Sequence, residues 1–167
     1  MLTLEQLTDI SPFTWHAIGT SIFCGAVIGL ERQLRGKPVG IRTSSLIVLG
    51  TYLFLATAFM LEGDIVDPSR VVGQVITGIG FLGAGVMLAK DGAVVGVTSA
   101  ATIWVLAALG VLIAAGHLFQ ATKLSLLVVV ILYGIDLLED NVKSLSRGVH
   151  VSVAKRFMHQ KKEDELT

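Results

Sequence analysis

The sequence predicts an all-α membrane protein, a bundle of about five transmembrane helices with the N-terminus outside and the C-terminus inside. Three observations predict it. Charge is sparse: 16% of residues are charged, against about 25% in an ordinary globular domain. That charge is gathered in short clusters, with uncharged runs between them long enough to cross a bilayer. And 11 of the 13 Lys and Arg residues fall on one side of the alternating connections, as cytoplasmic loops demand.

The runs define the elements in order. Residues 10–30 give 21 uncharged positions, residues 43–61 give 19, and residues 71–89 give 19. Residues 92–122 give 31, counting His117 as neutral. The fifth run is shorter, the 12 residues "LSLLVVVILYGI" between Lys123 and Asp136. It extends to a span if Lys123 snorkels and Asp136 sits near the end, sheltered by a second chain. The predicted spans are 12–31, 43–61, 70–89, 97–115 and 118–138, forming a membrane domain over residues 1–138. A charged cytoplasmic tail follows at 139–167. The N-terminal stretch carries Glu5 and Asp9 but no Lys or Arg, so the first apolar run is expected to be retained rather than cleaved.

Four basic residues, Arg32, Arg35, Lys37 and Arg42, lie in the first connection, one in the third and six in the tail. The opposite side holds only Arg70 and Lys123 and is otherwise acidic. The stretch "GLERQLRGKPVGIRT" is therefore read as a cytoplasmic lip between spans one and two.

Span one contains "GAVIG", placing Gly25 and Gly29 one turn apart for close helix approach. Span three is glycine-rich, with Gly73, Gly78, Gly80, Gly83 and Gly85 inside 13 residues. Either the helix is crowded on several faces or it is locally unwound, as where transporters build ion sites. Arg70 and Gln74 are one turn apart near its outer end. Span four opens with Thr98, Ser99 and Thr102, and its Trp104 is expected to pack against the glycine helix. Cys24 is the only cysteine, so no intrachain disulfide forms.

The lip raises the sharpest question. Glu31 ends an apolar run, where a lone carboxylate needs a partner. Arg32 points about 100° away on a helix, so Arg42 at the start of span two is the expected partner. Thr43, Thr98 and Thr102 would complete an inner-face polar cluster. That cluster is either a binding site for a partner or ion, or a clamp that ties helix ends together. In the tail, Asp136, Glu139 and Asp140 share a helical face with Lys143, and "VHVSVAKRF" alternates like a short strand.

No Walker loop, HExxH, CxxC or nucleophile elbow is present, so no catalytic residue, cofactor or resident metal is expected. The net charge of zero says nothing about nucleic acid, and no nucleic-acid partner is expected. The lipid bilayer is the expected partner, and packed glycine helices suggest a homo-oligomer.

Three segments then carry a resemblance: "GAVIGLERQLRGKPVGIRTSSLIVLG", "DPSRVVGQVITGIGFLGAGVM" and "VVGVTSAATIWVLAALGVLIAAG". Over residues 25–116, about half the chain, the protein resembles the MgtC/SapB family of bacterial inner-membrane proteins. The resemblance implies about five membrane helices and a link to magnesium limitation, acid stress or intramacrophage survival. The MgtC branch itself has a soluble C-terminal domain, and this chain resembles the short branch without one. The resemblance also implies a membrane complex such as the ATP synthase as partner. Two readings stay open: a regulator of another membrane complex, or a transporter or channel subunit for magnesium or protons. The acids near the spans, Glu31, Asp67, Asp91 and Asp136, all lie at span ends, while magnesium wants several oxygen ligands together.

Overall fold

The computed structural model describes residues 9–61, 67–90 and 93–141. Those residues form five helices and one short hairpin. Helix α1 runs Trp15–Leu34, capped by Thr14, whose hydroxyl accepts the Ala17 N–H at 3.2 Å. It ends in a tight turn at Gly36, where φ is +63°, a conformation glycine adopts without a Cβ penalty. Helix α2, Ile41–Met60, then begins after Gly40. Helix α3, Pro68–Gly85, starts as the sequence suggests, with Pro68 in the first turn and the Asp67 carboxylate accepting the Ser69 N–H at 2.9 Å.

Span three was expected to stay helical to residue 89. It ends instead at Gly85, and an antiparallel hairpin follows, β1 (Leu88–Lys90) and β2 (Ala93–Val95), with Leu88 opposite Val95 and Ala89 opposite Val94. The reason is legible in hindsight. An Asp-Gly pair flanked by short apolar runs is a strong hairpin signal. Gly96 links β2 to helix α4, Val97–Ala114, at φ +91°, with the Val86 carbonyl where a Cβ would stand. Gly116, at φ +85°, turns the chain into helix α5, Leu118–Asn141.

Side-chain register fixes the directions. Gly25 lies against Ser45 and Gly29 against Ile41, so α1 and α2 are antiparallel. Gly110 lies against Val48 and Thr51, bringing α4 alongside α2. Gly83 meets Ala100 at 3.7 Å, so α3 runs antiparallel to α4. Helix α5 packs along α1. Helix α4 touches all four other helices and forms the centre of the bundle. Cys24, Ile28, Val48, Leu55, Leu106 and Ala121 are completely buried there. The α1–α2 lip, the hairpin and the C-terminal end of α5 consequently share one end of the bundle.

Three helical segments are long and apolar enough to cross a membrane: Ile41–Met60, Val97–Ala114 and Leu118–Ile135. The fifth predicted span, weakest in the sequence, is among them. Helices α1 and α3 are equally long but carry polar groups, Glu31 and Arg32 at one end of α1, Arg70 and Gln74 near the start of α3.

Candidate functional site at the helix lip

The lip is built around a buried ion pair. Glu31 and Arg32 occupy the last turn of α1 at only 6% and 2% exposure. The Arg32 guanidinium donates Nε–H to Glu31 Oε2 and Nη2–H to Oε1, the latter at 2.9 Å, a two-point grip that only arginine makes. Arg35, one turn on, brings its Nε to 3.7 Å from Glu31 Oε1 and lays its guanidinium over the Tyr133 ring of α5, 5.0 Å from the centroid. One carboxylate is thus held by two guanidinium groups, one of which also ties α1 to α5.

This corrects the sequence expectation. Arg42 is exposed and is not the partner of Glu31. The 100° argument treats a side chain as a spoke. An arginine is long enough to curl back beside its neighbour, and burial against packed helices rewards it for doing so. Thr43 and Thr98 are exposed, and the buried Thr102 hydroxyl donates to the Thr98 carbonyl at 2.8 Å. Of the expected inner-face cluster, the structure joins Glu31 and Arg32 only. Arg35 and Tyr133 complete the group; the i, i+4 spacing of Glu31 and Arg35 was an available signal that the sequence reading did not use, while Tyr133 gave none.

The rest of the lip is tied down by backbone contacts. The Lys37 N–H donates to the Arg32 carbonyl at 2.9 Å, the Ile41 N–H to Gln33 Oε1 at 3.4 Å, and the Ser44 hydroxyl to the Val39 carbonyl at 3.0 Å. Val39 sits at φ +70°, unusual for a β-branched residue. The Ser44 bond and burial of the Val39 side chain hold it there.

Buried hydroxyls elsewhere turn back on their own helices. Ser21 donates to the Ala17 carbonyl at 2.8 Å and Ser125 to the Thr122 carbonyl at 2.8 Å. Ser21 and Ser125, like Cys24, are fully buried. Among the described residues no cluster of three His, Cys, Asp or Glu side chains forms.

Helix α3 departs most from expectation. A Cβ at Gly73, Gly78, Gly80 or Gly85 would meet nothing within 4 Å. Only Gly83 faces the bundle, so the helix is neither crowded nor unwound within this chain. Arg70 and Gln74 are both exposed on it. Trp104 does not cover these glycines: it stands 55% exposed on α4, and a Cβ at any of the four would meet no atom of it within 4 Å. The side chain of Asp136 and residues 142–167 lie outside the described residues, with the strand and acidic-face readings of the tail.

The family model for MgtC matches residues 18–141, three quarters of the chain and all five helices. The chain belongs to the MgtC family. It is 46% identical over 111 residues to a protein of Escherichia coli K12 described as "Putative magnesium transporter YhiD", covering 62% of this chain and 51% of that one. It is 38% identical over 118 residues to "Protein MgtC" of Brucella abortus, covering 71% and 49%. With "Protein MgtC" of Salmonella typhimurium it shares 33% over 125 residues, covering 75% and 53%. The chain spans about half the length of these curated relatives. No solved structure matches it. Family and apolar helices together make this a membrane protein with a magnesium-related kinship.

Proposed function

We propose that this MgtC-family chain is a bacterial inner-membrane protein that adapts cells to magnesium limitation or acid stress by binding and restraining another membrane complex. One observation carries the choice of regulator over conduit. The carboxylate buried at the lip, Glu31, is already neutralised by Arg32 and Arg35, and the buried hydroxyls of Ser21, Thr102 and Ser125 are bonded to carbonyls of their own helices. An ion crossing this bundle would have to break those bonds to find ligands. The chemistry on offer lies instead on the outer faces. In this reading the N-terminus is outside, the basic lip inside, and the chain assembles as a homo-oligomer. It performs no reaction of its own.

The ATP synthase is the complex proposed as partner, and inverted membrane vesicles test it. ATP-driven acidification should be slower in vesicles containing the chain than in matched vesicles from cells lacking it. Equal rates at several expression levels would remove the ATP synthase as partner.

A second reading, transport of magnesium or protons, is favoured by the name of the relative in Escherichia coli. It predicts flux by the isolated protein.

A further inference from the structure

The lip carries more positive charge than its own contacts use. Residues 31–42 hold four cations and one carboxylate. That carboxylate is enclosed by Arg32 and approached by Arg35. Lys37 and Arg42 are both exposed, and neither belongs to an ion pair among the described residues. They stand in one short connection whose ends are drawn together where the α1 and α2 backbones touch, Gly29 against Ile41. Helix α2 has no acidic residue in its first turn and no side-chain cap, so the positive end of its dipole adds to the same field.

A second, independent feature sets the depth of this patch. Leu46 is 64% exposed and stands one turn beyond Arg42 on the same face of α2. Leu30 and Leu34, one turn apart on α1, are also exposed just before the lip, Leu34 at 79%. In a helix that crosses a bilayer, exposed leucines face acyl chains, and a cation one turn further toward the end lies at the phosphate level. Arg42 over Leu46 therefore repeats the order of a phospholipid, charge above and hydrocarbon below. A soluble anion would match the cations but not the leucines.

We propose that the lip is a binding surface for anionic phospholipid headgroups, held by Lys37 and Arg42 with acyl chains along Leu46. The inference goes beyond the regulator reading and stands whether the chain regulates or conducts. Each cation near an anionic surface is worth about a fivefold preference.

The test uses the full chain reconstituted in vesicles of equimolar phosphatidylglycerol and phosphatidylcholine, then re-extracted and purified, with the retained lipids measured. The wild type should retain phosphatidylglycerol several-fold over phosphatidylcholine, less so at 0.5 M salt. The Lys37→Gln/Arg42→Gln double variant should lose most of that preference. Lys123→Gln, a cation at the opposite end of the bundle, should keep it. Circular dichroism and elution volume establish that each variant is folded; if the double variant is not, the two single variants should each lose part of the preference. A wild-type ratio of one, or full enrichment in folded Lys37 and Arg42 variants, overturns the proposal. So does loss of the enrichment on adding 10 mM inorganic phosphate at constant ionic strength, which would mark a site for soluble anions.

Discussion

Helices α1 and α3 both carry glycines, and the two sets do opposite things. In α1, Gly25 and Gly29 lie one turn apart against the backbone of α2, where a Cβ at either would come closer than 3.0 Å to main-chain atoms. In α3, Gly73, Gly78, Gly80 and Gly85 look into open space. The first pair is a joint: removing side chains lets two helices touch and brings Glu31, Arg32 and the start of α2 to one place. The second set makes no joint inside this chain. Its opposite face does the packing, with Ile79 and Gly83 buried. Glycine content alone therefore says little about a membrane helix. The spacing of glycines relative to the buried face decides.

The same substitution should give opposite signs in the two places. Gly29→Ala puts a Cβ into the Ile41 backbone, which cannot swing aside as a side chain can. It should cost on the order of 3 kcal/mol, the upper end for overpacking, seen as a lower melting temperature and loss of the monodisperse species. A normally melting Gly29→Ala protein would mean the α1–α2 joint is not as tight as described.

Next in size is the ion pair that the joint shelters. Glu31→Gln leaves the Arg32 guanidinium buried without a countercharge and should cost about 3 kcal/mol. Arg35 cannot offset this, since it is also a cation. A double change of Glu31→Gln with Arg32→Met should recover part of the loss, because the buried charge goes with it. Failure of the second change to recover anything would show that the pair is not coupled.

Gly80→Ala is expected to be neutral or to stabilise α3 by up to about 1 kcal/mol, since alanine favours helix and no neighbour is in the way. Gly80→Leu sharpens the contrast. It should leave the chain's own melting unchanged while reducing its mass in detergent if α3 is where copies meet. An unchanged mass would leave those glycines without an assembly role.

The smallest effect is expected at the start of α3. The Ser69 hydrogen bonds hold the Asp67 carboxyl below the usual carboxylate range, helped by the nearby charge of Arg70. Its folded-state affinity for protons is thus lower than in the unfolded chain. The cap's contribution is present at neutral pH and lost as pH falls through and below the ordinary carboxylate range. Melting of wild type and Asp67→Ala should converge at low pH; a gap that persists there would mean the charge is not what the cap supplies.

Much of this was legible in the sequence, for stated reasons. Uncharged runs located all five helices, because burying unpaired charge is costly in any apolar medium. The Gly25–Gly29 spacing marked a face of α1 for close helix approach, because four residues return to one helix face, but did not name α2 as the neighbour. The N-cap at Asp67 and Pro68 was readable from local chemistry alone. The hairpin was missed because Leu88 and Ala89 were absorbed into the preceding uncharged run and residues 92–95 into the following one, although Asp-Gly at 91–92 is a hairpin-turn dipeptide. The Glu31–Arg32 pair was missed because spacing rules describe where side chains leave a helix, not where long ones finish. And the outward face of α3 was misread, because its five glycines were taken as a sign of packing while Arg70, Gln74 and Thr77, at helical spacing, lie on the exposed side.

The central claim is that this protein acts through its surfaces and not by passing ions through its interior. Ion flux into proteoliposomes containing only the purified chain tests it most directly, with a magnesium-sensitive and a pH-sensitive dye inside. The account predicts rates indistinguishable from protein-free liposomes under both a magnesium gradient and a proton gradient. A saturable flux of either ion that scales with the amount of protein and disappears in Glu31→Gln would contradict it.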